Sequence, residues 1–151
     1  MIEERLKELG LLLPETTVPG GNYVSLNIRG VVGFVAIQFP VINEQYHFQG
    51  RLGAEISTEE GYKAMQLCAL NVLAQINKHI TMEKFVGMNH LDACYQCVDG
   101  WDDAPVVADG ASDLFINVLA EKGRHARGIC RVAGLPRNFS VGLTATFTID
   151  K

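Results

Sequence analysis

The stretch Ser140–Ile149 alternates along its whole length: Val141, Leu143, Ala145, Phe147 and Ile149 are apolar, and Thr144, Thr146 and Thr148 between them are polar. Successive side chains of a strand point to opposite faces. This segment is therefore a strand with one face in a core and the other turned to water or to another chain. Such a strand belongs in a sheet with helices stacked on one side only.

The remaining segments read as parts of such a sheet and its cover. Tyr23–Ile28 places Val24, Leu26 and Ile28 opposite Ser25 and Asn27. Gly30 offers a turn into VVGFVAIQF, giving an antiparallel hairpin that Pro40 ends. Phe85–Val98 is a further strand, with Leu91, Ala93, Tyr95 and Cys97 on one face and His90, Asp92, Cys94 and Gln96 on the other. Gly128–Val132 is another. Ser57-Thr58-Glu59-Glu60 is a capping box and opens the longest helix, Thr58–Lys78, where Met65, Ala69, Val72 and Ile76 recur at helical spacing. Asp99–Gly110 reads as a polar loop holding Trp101. Asp109 reads as the cap of a second helix, Ala111–Lys122, with Leu114, Phe115, Val118 and Leu119 inward. Ile2–Leu9 is a short helix stopped by Gly10, and Pro14–Gly21 is rich in breakers. The expectation is a single α+β domain over residues 1–151, with residues 1–13 as a helical extension and two main helices on one face of the sheet.

A chain of 151 residues can bury a real core, and 48% apolar with 20% charged residues is an ordinary globular balance. The formal charge of -4 and the lack of a basic cluster argue against a nucleic-acid surface. No apolar run is long enough to span a membrane. The N-terminus is acidic and amphipathic, unlike a secretory signal, so a cytoplasmic location is expected. The four cysteines, Cys68, Cys94, Cys97 and Cys130, then read as reduced thiols.

Few patterns carry chemistry. Cys94-Tyr95-Gln96-Cys97 spells CxxC, but on a strand residues three apart face opposite ways and no second CxxC completes a zinc site. His90, Asp92 and Cys94 share a face, about 6.5–7 Å apart in steps of two. They make either a metal site or, more simply, a polar strand face at a subunit contact. Asp99, Asp102 and Asp103 flank Trp101 without calcium-loop spacing. Nothing implies a metal or cofactor. Arg127, at the mouth of the strand after Gly123, is either a surface charge or the anchor of a small acid, since its planar fork of donors suits a carboxylate.

The run GASDLFINVLAEKGRHARGICRVAGLP, Gly110–Pro136, resembles the C-terminal half of the RidA family, also called YjgF or L-PSP endoribonuclease-like, and more closely its longer-chain, chorismate-mutase-like branch. Leu9-Gly10 followed by LPE, Asn22-Tyr23-Val24, Gln38-Phe39-Pro40 and GAEISTEEGYKAMQLCALNVLAQI at Gly53–Ile76 extend the resemblance along nearly the whole chain. It implies a mixed sheet backed by two helices and a homotrimer with ligand clefts between subunits. Enzymatic members hydrolyse reactive enamines and imines to keto acids and ammonia. The family arginine that holds the substrate carboxylate falls on Arg127, and the family tyrosine falls on Tyr23. Ile129, beside the arginine, joins the expected lining. Many members carry Ser-Gly-Gln where this chain has Ala36-Ile37-Gln38. The glutamate that handles water in enzymatic members falls on Thr144, which can bind water but cannot act as a base near neutral pH. The resemblance thus implies a site for a small carboxylate, a keto or imino acid, in a protein that either binds without turnover or is a divergent imine deaminase. RNA cleavage, a family label, is disfavoured by the acidic charge.

Overall fold

The structure, a computed structural model, describes residues 2–151. Helix α1 is Ile2–Glu8; strands β1 and β2 are Leu26–Arg29 and Val32–Gln38; β3 and β4 are Val41–Ile42 and Gln45–Tyr46. Helix α2 is Thr58–His79, β5 is Phe85–Tyr95, α3 is Ala104–Leu119, β6 is Ala126–Arg131 and β7 is Val141–Ile149. The main sheet has five strands in the order β1-β2-β7-β5-β6, antiparallel except where β6 runs parallel to β5. A parallel pair needs a crossover connection, and α3 supplies it. The fold is α+β with a mixed sheet.

The period-two pattern of β7 holds. Val141, Leu143, Ala145 and Phe147 are buried, and the three threonines are half-buried on the other face. Leu26 and Val35, Leu91 and Ala93 join the buried row from the neighbouring strands, and α2 and α3 close over it. The capping box at α2 is complete: Glu60 N donates to Ser57 Oγ at 3.1 Å and Ser57 N to Glu60 Oε1 at 3.0 Å. Among the described residues no helix lies on the opposite face of the sheet.

The second main helix departs from the sequence expectation. Residues 104–110 are helical rather than loop, and Asp109 lies inside α3 rather than at its cap. The helix starts after Asp103, with Pro105 in its first turn, where a missing N–H costs nothing. Val107, Ala108 and Ala111 are buried against the core, so packing draws the polar-looking segment into the helix. Gly110 lets α3 approach α2 backbone to backbone: a Cβ there would overlap the Tyr62 carbonyl oxygen and lie 3.1 Å from the Gln66 amide nitrogen.

Strand limits also shift. β1 begins at Leu26, leaving Tyr23 in the preceding loop; β5 ends at Tyr95; β6 begins at Ala126. β3 and β4 form a small hairpin the sequence reading lacked, turned through Asn43 and Glu44, both at positive φ.

Candidate functional site

Arg127 belongs to the edge strand β6 and is paired in register with Leu91, so its side chain leaves the sheet on the helix side. There α3 meets it. Nη1 donates to Asp109 Oδ1 at 2.7 Å and to Ser112 Oγ at 3.0 Å, and Nη2 donates to the Pro105 carbonyl at 3.4 Å. Ser112 Oγ lies 2.8 Å from His125 Nε2, and His125 Nδ1 lies 2.6 Å from the Gly123 carbonyl oxygen. A carbonyl only accepts, so Nδ1 carries the proton and Nε2 takes the serine's. The chain Arg127–Ser112–His125–Gly123 thereby fixes the guanidinium on a rigid helix. Nε donates to nothing among the described residues, so part of the fork stays open to a ligand.

Asp109, Ser112 and His125 were missed as site residues from sequence. The signal existed: Asp109 and Ser112 stand three apart, which is one face of a helix once the helix start at Ala104 is known.

The other expected residues fall into three places. Ile129 sits two residues beyond Arg127 on the same side, half-buried against the core and opposite Ala93. Ala36, Ile37 and Gln38 form a bulge: β2 pairs Val35 with Ala145 but Gln38 with Leu143, three residues against two. Gln38 is buried with both ends used. Its Oε1 accepts from Thr17 Oγ1 at 2.8 Å, and its Nε2 donates to Ala36 O at 3.0 Å, so it anchors the bulge. Ile37 lies over Gly142 on the uncovered face, its Cδ1 2.8 Å from where a Cβ of that glycine would stand. Thr144 is on the uncovered face too, directly opposite Asp92 of β5. Tyr23 is exposed, and its hydroxyl accepts from Gly20 N at 3.2 Å.

Register gives the separation. Leu26, Val35, Ala145, Leu91 and Arg127 form one continuous row across the five strands. Four strand spacings put Leu26, three residues beyond Tyr23, about 19 Å from Arg127. Within one chain, the arginine and the tyrosine sit at opposite edges of the sheet, and Thr144 emerges on the face opposite Arg127.

The CxxC cysteines separate as the period-two argument expects. Cys94 is on the uncovered face, donating to Gly142 O at 3.6 Å, its thiol pushed up by burial. Cys97 is in the core. His90 Nε2 and Asp92 Oδ1 are 3.1 Å apart. Among the described residues no three His, Cys, Asp or Glu side chains converge on a metal position. A hollow of about 320 Å³ lies further along β6 between Arg51, Cys97 and Arg131, with Arg131 Nη2 held by Asp99 Oδ1 at 2.9 Å; Arg127 is not part of it. Among the described residues no helix is long and apolar enough to cross a membrane.

Comparison with known proteins places these features in a group. The model of the YjgF/chorismate mutase-like endoribonuclease family matches residues 3–148. Protein TCP17 of Trypanosoma cruzi is 32% identical over 151 residues, covering 99% of this chain and 94% of its own. The crystal structure of Atu1372, a protein of unknown function from Agrobacterium tumefaciens, superposes with a TM-score of 0.92 at 35% identity, covering 99% of this chain and 92% of the other. Escherichia coli TdcF, crystallised with bound serine, shares the fold at 15% identity, with a TM-score of 0.63 over 90% of this chain and 93% of its own.

Proposed function

The chain belongs to the YjgF/chorismate mutase-like family, and from that premise we propose that it binds a small carboxylate, a keto or imino acid, in clefts between the subunits of a homotrimer. One observation carries this reading. Tyr23 and Arg127 stand at opposite edges of one sheet, so a site using both takes one residue from each of two neighbouring copies. The sheet face without a helix supports assembly, since it presents Phe34, 46% exposed, among the threonines. Arg127 supplies the charge. It is held by α3 with its Nε open, and an incoming carboxylate shares the guanidinium with Asp109 or displaces it, because Asp109 is half exposed and free to turn to water. TdcF holds serine, a molecule of the proposed size with a carboxylate. The cytoplasm is the compartment we propose.

Thermal stabilisation by a panel of 2-oxo acids, with and without Arg127→Ala, tests the site. Stabilisation by pyruvate or 2-oxobutanoate that disappears in the variant is the expected result. A shift that survives the substitution removes Arg127 from the site. Sedimentation at micromolar concentration giving a monomer removes the cleft.

Hydrolysis of 2-imino acids is the second reading, and a specific observation favours it. The site has no carboxylate at Thr144, but Asp92 faces that residue in register from the next strand. An imine already reacts with water, so positioning supplies much of the acceleration and a single proton-moving group completes the chemistry.

A further inference from the structure

The ion pair at Arg127 is incomplete at both ends. Nη1 donates to Asp109 Oδ1 at 2.7 Å, whereas Nε donates to nothing among the described residues and Nη2 reaches only the Pro105 carbonyl, at 3.4 Å. Asp109 gives the guanidinium one oxygen, and its Oδ2 accepts from nothing among the described residues. Both side chains reach water, Arg127 at 25% and Asp109 at 49% exposure. A pair this open contributes at most about 1 kcal/mol, so a ligand shares it at little cost. Unused donors therefore stand beside an unused acceptor of opposite charge.

The surroundings favour a further cation. Asp113 stands one turn after Asp109 on α3, and its Oδ2 accepts from the Tyr62 hydroxyl at 2.7 Å. Burial pushes that hydroxyl up first, and the charges of Asp113 and Asp109 both add to the rise, so the two carboxylates bear on one phenol. Like charges at this helical spacing repel. Among the described residues Arg127 is the one cation ion-paired with either carboxylate. His125 meets Ser112 and Gly123 instead.

A 2-amino acid carries what this pair lacks. Its carboxylate fits the open Nε side of the fork. Its ammonium, on the adjoining carbon, donates to Asp109 over one charge-assisted bond of about 2.7–2.9 Å. A 2-oxo acid has a carbonyl oxygen at that carbon, so an acceptor meets an acceptor. It binds only by turning Asp109 away and leaving that carboxylate without its partner.

We propose that Arg127 and Asp109 form a two-ended site for the zwitterion of a small 2-amino acid, and that Asp109 selects nitrogen over oxygen at carbon 2. The proposal rests on the reading of Arg127 as a carboxylate anchor. Arg127 and Asp109 both touch the ligand, while Ser112 and His125 hold the guanidinium from the protein side and are positioning residues.

Titration calorimetry near pH 7 compares L-2-aminobutanoate with 2-oxobutanoate, which differ only at carbon 2, for the full chain, Asp109→Asn and Arg127→Ala. The unaltered chain binds the amino acid about tenfold tighter, the effect of one charge-assisted hydrogen bond. Asp109→Asn keeps an oxygen for Arg127 and loses the charge. Its affinity for the amino acid falls about tenfold, and it binds 2-oxobutanoate at least as tightly as the unaltered chain does, which also shows the variant folded. A chain that prefers 2-oxobutanoate, or a preference for the amino acid that Asp109→Asn leaves intact, overturns the zwitterion site and leaves Arg127 standing as an anchor. If neither acid binds the unaltered chain, or both bind Arg127→Ala undiminished, the anchor falls and this inference with it.

Discussion

Replacing Gly110 by alanine sets two opposing effects against each other. In an isolated helix the change is favourable by about 1 kcal/mol, because alanine restricts the unfolded chain and glycine does not. Here the added Cβ overlaps the Tyr62 carbonyl oxygen and comes within 3.0 Å of its carbon and 3.1 Å of the Gln66 amide nitrogen. These are backbone atoms inside α2, and no rotamer change relieves them. The helices must separate by roughly 1 Å, which forfeits a quarter to a half of the dispersion energy of each contact across the seam. Across that seam Val107, buried, also meets Gly61 of α2, where an added Cβ would stand 2.9 Å from the Val107 Cγ2. Overpacking of this kind costs about 1–3 kcal/mol and sometimes more. With a backbone collision the upper end applies, for a net destabilisation of about 2–3 kcal/mol, or a drop in Tm of roughly 5–10 °C for a domain of this size. Thermal melting by circular dichroism reads it, with Gly20→Ala as control, since that glycine has no neighbour within 4 Å and no positive φ. The displacement also carries Asp109 and Ser112 away from Arg127, so stabilisation by 2-oxobutanoate shrinks in the same variant. A Tm equal to or above that of the unaltered chain refutes the close approach of the two helices and leaves helix propensity alone in charge.

Two further outcomes follow from local geometry. Ser57→Ala removes the half of the α2 capping box that its side chain supplies, the acceptor for Glu60 N, and costs about 1 kcal/mol in urea unfolding; no loss would mean the helix N-terminus is already satisfied by water. The Tyr62 hydroxyl is pushed up to about 12, first by burial and then by the Asp113 carboxylate that accepts its hydrogen bond at 2.7 Å. The unfolded phenol titrates near 10, so the stability this group contributes is full below about pH 10 and is lost as pH rises through about 12. Asp113→Asn moves that loss to lower pH, read from tyrosinate absorbance and from unfolding at alkaline pH; an unchanged profile would remove Asp113 as a cause.

The elements with strong local signals were legible residue by residue. The alternation of β7 and the capping box of α2 depend only on neighbours in the chain, and both stand as the sequence spells them. The opposite facing of Cys94 and Cys97 follows from the same two-residue period. The start of α3 was not legible. Residues 99–110 look like a polar loop because Asp102, Asp103 and Asp109 dominate them, and only the burial of Val107, Ala108 and Ala111 against the core makes part of that segment helix. Asp109 changes role with it, from helix cap to partner of Arg127.

The sequence by itself determined the main strands and helices and the β1–β2 hairpin, and through its resemblance to a family it singled out Arg127 and Thr144. Tertiary structure decided what those residues face. A strand's period says that two residues lie on opposite sides, but not which side meets a helix. Pairing of Leu91 with Arg127 and of Asp92 with Thr144 settles that, because register is set by contacts far apart in the chain. The same register sets Tyr23 and Arg127 at opposite edges and brings Asp92 beside Thr144, a pairing that 51 intervening positions of sequence conceal.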